Sequence, residues 1–175
     1  MTLEEITKTA INPALALLPG KMDSKEARVM LLAIGLQESR FEHRFQVVQG
    51  RPGAKGPARG YWQFERGTRA SKGGVWGVWL HESSRFWLAQ LCAARGCAFD
   101  AQAIWETVET DDVLAAGVAR LLLFTDPLRL PAVDDEAGAW ALYAKRCWRP
   151  GKPHPQTWPG FHAQARDFVV NEVVL

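Results

Sequence analysis

Leu31-Leu32-Ala33-Ile34-Gly35-Leu36-Gln37-Glu38-Ser39-Arg40-Phe41 is an apolar helical run that closes on a carboxylate. On a helix of about 3.6 residues per turn, Ala27, Leu31, Ile34, Gly35 and Glu38 share one stripe, so the acid belongs to the face turned towards the core. Removing a carboxylate from water penalises its charged form, and the pKa of Glu38 is therefore expected to rise. A carboxyl group still protonated near neutrality can act as a general acid, which cleavage of a glycosidic bond requires. Just upstream, Asp23-Ser24-Lys25-Glu26 has the pattern of a capping box. Asp23 is expected to accept from the first turn while Glu26 reaches back, and the helix to run on to about Arg40.

Beyond the helix, Gln49-Gly50-Arg51-Pro52-Gly53-Ala54-Lys55-Gly56-Pro57-Ala58-Arg59-Gly60 is too rich in glycine and proline to be helical. It reads as a loop with a short strand on either side, the kind of segment on which binding groups are often presented. Further helices are expected at about His81 to Ala94, Ala101 to Thr107, Asp111 to Phe124, Asp135 to Arg146 and Gly160 to Asn171. Leu114, Gly117, Val118, Leu121 and Leu122 give the third of these an apolar stripe, and Ala137, Trp140, Ala141 and Ala144 the fourth. Asp126-Pro127 and Arg149-Pro150-Gly151-Lys152-Pro153 punctuate the chain as turns. There is no internal repeat, low-complexity tract or linker. A chain of 175 residues with 47% hydrophobic content can bury one well-formed core. The expected architecture is therefore a single domain over 1–175, mainly α, with a loop or strand segment near residues 45–65.

Net charge is only +2, but it is unevenly distributed. Arg40 to Lys72 carries eight basic residues against Glu42 and Glu65, whereas Asp100 to Glu136 carries nine acids against Arg120 and Arg129. The basic half surrounds the Glu38 motif and would suit an anionic polymer such as cell wall or nucleic acid; a merely solvated surface is the competing explanation. Cys92, Cys97 and Cys147 are an odd number without metal-ligand spacing, so reduced thiols are expected and no metal site. The start of the chain, Met1-Thr2-Leu3-Glu4-Glu5-Ile6, is acidic where a secretory signal would be basic, and no apolar run reaches the roughly 18 residues of a membrane span.

Eight tryptophans are several times the usual share. Trp87, Trp105 and Trp140 sit within helical patterns and read as core. Trp62, Trp76 and Trp79 lie in the loop-rich middle, where their faces could stack on sugar rings or on bases.

Glu38-Ser39, then the glycine-rich loop, then Gly60-Tyr61-Trp62-Gln63-Phe64 together resemble the catalytic core of soluble lytic transglycosylases and goose-type lysozymes. In that family a helix ends in Glu-Ser and a later Gly-Leu-Met-Gln segment lines the substrate groove. Tyr61-Trp62 stands in for Leu-Met, and the stretch from Ala58 to Thr68 looks like the whole second motif. The third motif, Ala-Tyr-Asn-Ala-Gly in typical members, is matched in part by Ala141-Leu142-Tyr143-Ala144-Lys145, which keeps the tyrosine and lacks the asparagine.

The resemblance implies a lysozyme-like α+β fold, a helical bundle around a substrate groove. It further implies a peptidoglycan lytic transglycosylase. Glu38 would protonate the oxygen between N-acetylmuramic acid and N-acetylglucosamine, then act as base while the muramyl C6 hydroxyl attacks C1 to form a 1,6-anhydro ring. Ser39, Tyr61, Trp62 and Gln63 would line the groove, and Tyr143 would position Glu38 or the substrate's acetamido group. No metal or organic cofactor is implied. A hydrolytic lysozyme would need a second carboxylate, for which Glu65 is the well-placed residue; Glu42 is expected to pair with Arg44 or face solvent. The structural alternative for Glu38 is a helix-closing acid paired with Arg40 or Arg44.

Two other classes stay open. A peptidoglycan-binding or structural protein on the same scaffold would account for the missing asparagine. A nucleic-acid binder would use Arg40 to Lys72, but no helix-turn-helix or other recognition module accompanies it. A wall-directed enzyme without a signal peptide, made in a host cytoplasm, fits a bacteriophage origin, either within the virion alongside other virion proteins or released at lysis.

Overall fold

The computed structural model of the protein describes residues 1–172, and these form a mainly helical structure with one two-stranded antiparallel sheet. The helix that carries Glu38 is α3, Lys25–Ser39. Its cap is Ser24, whose Oγ accepts from the Ala27 amide at 3.1 Å. Asp23, expected in that role, lies one residue too early and instead takes a two-pronged bond from Arg28 at 2.7 and 2.9 Å. The helix ends with Arg40 and Phe41 both left-handed, at φ 53° and 56°. This reversal lays the Phe41 ring on Gly35, where a Cβ would stand 2.1 Å from it. Gly35 is thus required by packing, and the ring seals the end of α3.

Two short helices, α1 (Leu3–Ile6) and α2 (Asn12–Ala16), joined by a π-helical segment Thr7–Ile11, precede α3. The sequence does announce them, since Thr2 and Glu5 form a reciprocal capping box. After α3 come β1 (Phe45–Val47) and β2 (Lys55–Arg59), paired with Phe45 opposite Arg59. Gly60 then turns the chain at φ 74°, and its missing side chain admits the Val108 carbonyl, which a Cβ would meet at 2.7 Å. An isolated bridge between Arg59 and Phe64 returns the next segment alongside.

Helix α4 (Gly74–Leu80) carries Trp76 and Trp79, which the sequence placed in loop. Helices α5 (Glu82–Arg95), α6 (Ala101–Thr107) and α7 (Asp112–Phe124) follow close to expectation. Every residue of α7 from Val113 to Leu123 is buried, and α7 packs against α2, α4, α5 and the π-helical segment near the start of the chain. It is the axis of one contiguous core. The helix expected from Asp135 to Arg146 is two segments: α8 (Glu136–Trp140), then a π-helix Ala141–Cys147. The last helix, α9 (Trp158–Asn171), lies along α3. Among the described residues no helix is long and apolar enough to cross a membrane.

Candidate active site

Glu38 sits in the last turn of α3, half-buried, and the Tyr143 hydroxyl donates to its Oε1 at 2.5 Å. The two residues are 105 positions apart and meet because the π-helix brings Tyr143 to the end of α3. Behind the phenol, Trp158 stacks on it at 5.1 Å and Trp140 meets it edge-on at 5.6 Å, so Tyr143 is held by aromatic packing. Burial pushes the Glu38 carboxyl up to about 7, and the charge of Glu65 pushes the same way, while the bond from Tyr143 opposes both. Burial and the neighbouring Glu38 lift the Tyr143 phenol well above its ordinary range, so it stays a donor. No cation pairs with Glu38 among the described residues: Arg44 is bound to Asp112 at 2.8 and 2.9 Å, and Arg40 lies over the Phe161 ring at 5.7 Å. The alternative of a helix-closing ion pair is therefore not what this acid does.

Ser39, Tyr61 and Trp62 are engaged within the fold. Ser39 Oγ donates to the Tyr61 carbonyl at 2.7 Å and accepts from the Phe41 amide at 3.1 Å, which ties the end of α3 to the 61–64 segment. Tyr61 is buried with its ring edge-on to Phe41 at 5.7 Å and under the Arg44 guanidinium at 4.6 Å. Trp62 is wholly buried, and its Nε1 donates to the Leu31 carbonyl at 2.8 Å. Neither ring presents a face on which a sugar could stack. The turn after Gly60 leaves both rings inside, each edge-on at 5.7 Å to the Phe41 ring that packs on Gly35. Gln63 is half-exposed at φ 52°, with Nε2 donating to the Gly60 carbonyl at 2.9 Å, and its Oε1 is open. Glu65 is exposed and forms no ion pair among the described residues. Glu42 faces solvent.

Several contributors lay outside the sequence candidates. Trp148 Nε1 donates to the Trp62 carbonyl at 2.9 Å, and its ring packs on Phe64 at 5.7 Å. Gln37, next to the acid, donates to the His154 carbonyl and accepts from Thr157 Oγ1, both at 3.0 Å. The proline-punctuated stretch from Arg149 to Pro155 is thereby fastened beside Glu38 as a wall. Its composition signalled a turn, but nothing local signalled where the turn would dock. Glu65 is fixed to the start of α4, because the Val75 and Trp76 amides donate to the Glu65 and Arg66 carbonyls at 3.1 Å.

The basic stretch is partly neutralised within the fold. Arg59 pairs with Glu109 at 2.9 Å, Lys55 pairs with the same acid, and Arg44 with Asp112. No group of three or more His, Cys, Asp or Glu side chains among the described residues could hold a metal ion. No family model, curated protein or solved structure matches this chain.

Proposed function

We propose that the protein cleaves the β-1,4 bond between N-acetylmuramic acid and N-acetylglucosamine in peptidoglycan as a lytic transglycosylase, with Glu38 as the acid and then the base. The observation that carries this reading is the Glu38 carboxyl itself, raised to about 7 at the end of a buried helix and bonded by Tyr143. A carboxyl of that pKa is divided between acid and base near neutrality, so one group can give a proton to the leaving oxygen and recover one from the C6 hydroxyl. The motif resemblance through Glu38, Gln63 and Tyr143 supplies the substrate class, since a raised carboxyl alone suits any glycoside. The substrate groove of this proposal runs past Glu38 between the Glu65 segment and the wall from Arg149 to Pro155. Gln63 Oε1 lines it, and Tyr143 holds the Glu38 carboxyl in one orientation through its hydroxyl.

One observation favours a second reading, hydrolysis. Glu65 is exposed, lacks a cationic partner among the described residues and lies close enough to Glu38 to raise its pKa, as a water-activating carboxylate would have to. Mass spectrometry of soluble fragments released from purified peptidoglycan decides. Anhydromuramyl ends that vanish with Glu38→Gln support the transglycosylase. Reducing ends that vanish with Glu65→Gln transfer the assignment to a muramidase. Intact peptidoglycan after prolonged incubation with the wild-type protein rejects both.

A further inference from the structure

Beside Glu65 the chain forms a cleft of about 320 Å3 whose lining includes Arg66, Thr68, Arg69, Trp76, Asp100 and Gln102. We propose that this cleft is a subsite for a carboxylate-bearing substituent of the substrate, the peptide stem of a muramyl residue, so that the protein acts on stemmed rather than stripped glycan. The proposal rests on the peptidoglycan reading above and adds to it which form of the polymer is recognised.

Three observations converge on it. First, among the described residues no acid is paired with the cations around this cleft. Arg44, Lys55 and Arg59 are neutralised by Asp112 and Glu109, yet Arg66, Arg69, Lys72 and Arg149 form no ion pair among the described residues. The acid in the cleft, Asp100, has its Oδ1 occupied by the Ala103 amide at 3.0 Å as the cap of α6. Second, the guanidinium groups are held in place. Arg69 lies over Trp76 at 4.7 Å, and Arg66 Nη1 donates to Gln102 Oε1 at 2.6 Å. A guanidinium stacked on an indole keeps its in-plane N–H edge available for a two-point bond to a carboxylate. Third, the loop that bears them is stiff and continuous with the catalytic residues. Gly67 and Gly74, at φ 70° and 57°, let backbone approach so closely that a Cβ at either would stand 2.0 Å from a carbonyl oxygen, of Gly73 and Glu65 respectively. Thr68 and Ser71 exchange bonds, each side-chain oxygen accepting from the other's amide at 3.0–3.1 Å. Arg149, whose amide donates to the Tyr143 carbonyl at 3.2 Å, reaches over Gly73.

Sugar hydroxyls alone would not call for unpaired guanidinium groups beside an aromatic face. A stem peptide offers free carboxylates for Arg66 and Arg69 together with alanyl methyl groups for the Trp76 ring.

The test compares turnover of intact glycan strands with that of the same strands stripped of stems by an amidase. The wild-type protein is expected to favour stemmed strands in kcat/KM by about tenfold, and Arg66→Gln and Arg69→Gln to bring that ratio towards one. Arg129→Gln, an exposed control that does not line the cleft, should not change it. A wild-type ratio of one, or a ratio unmoved by both cleft variants, overturns the proposal. Calorimetric titration of a soluble muramyl tetrapeptide into Glu38→Gln separates this failure from that of the enzymatic reading. Binding that weakens in the Arg69→Gln double variant sustains the subsite even if neither strand is cleaved, whereas no binding removes it whatever the turnover.

Discussion

At the residue scale, Glu38 couples the proposed chemistry to stability. An ordinary glutamate near 4.5 is raised to about 7 on folding. Between those values the native protein holds a proton that the unfolded chain has released, so stability falls as pH rises through that window. The full penalty, about 3 kcal/mol, applies above pH 7. Glu38→Gln removes this titration while keeping an oxygen for Tyr143 to bond. The variant is expected to be inactive, to melt several degrees above wild type at pH 8, and to melt with it at pH 4, as calorimetry at the two pH values would show. Tyr143→Phe acts in the other direction. It removes the one interaction that lowers the Glu38 pKa, so the alkaline limb of the activity profile should move to higher pH while kcat falls. A limb that stays in place would show that the hydroxyl does not bond the acid during turnover. Trp62→Ala should cost about 3–5 kcal/mol in urea titrations, since the ring is buried and bonded to Leu31, and any loss of substrate affinity should follow from that instability.

At the element scale, what could be read in advance was what is written locally. The helical run of α3 and the partial burial of its acid follow from side chains within four residues of each other, although Val29 to Leu36 are all buried, so α3 is enclosed on every side and not along one stripe. Helix α4 escaped because Gly73, Gly74 and Gly77 make its sequence a poor helix former. Its first turn is anchored instead by the Glu65 and Arg66 carbonyls. Ser39, Tyr61 and Trp62 were assigned to the groove by motif position, which does not encode whether a side chain faces in or out; for the two rings that depends on the turn at Gly60 and on their packing against Phe41. The meeting of Glu38 with Tyr143, and of Gln37 with His154, has no local signature at all. These turns give a direct prediction. Gly60→Ala must relieve both a left-handed φ and the contact with the Val108 carbonyl. It should destabilise the protein by about 2–4 kcal/mol, measured by chemical denaturation. Gly20→Ala, with nothing within 4 Å of the added methyl, should be nearly neutral.

At the scale of the whole molecule, the basic and acidic stretches seen in the sequence are two halves of one clasp. Glu109 holds Lys55 and Arg59, and Asp112 holds Arg44, so the hairpin is fastened by charge to the turn after α6 and to the start of α7. Glu109→Gln should cost about 1 kcal/mol and raise the salt concentration needed to elute the protein from heparin, because two cations lose their partner. Elution at unchanged salt would show that Lys55 and Arg59 find another acid. The long reach between Glu38 and Tyr143 bears on the nascent chain as well. During synthesis Glu38 emerges more than a hundred residues before the tyrosine that orients it and well before α9, which packs along its helix. Until the C-terminal third is made and docked, Glu38 is an ordinary, solvated, ionised carboxylate with no proton to give at neutral pH. On the proposed function, chemical competence arrives only with the completed fold, and recovery of activity during refolding should lag the recovery of helical circular dichroism.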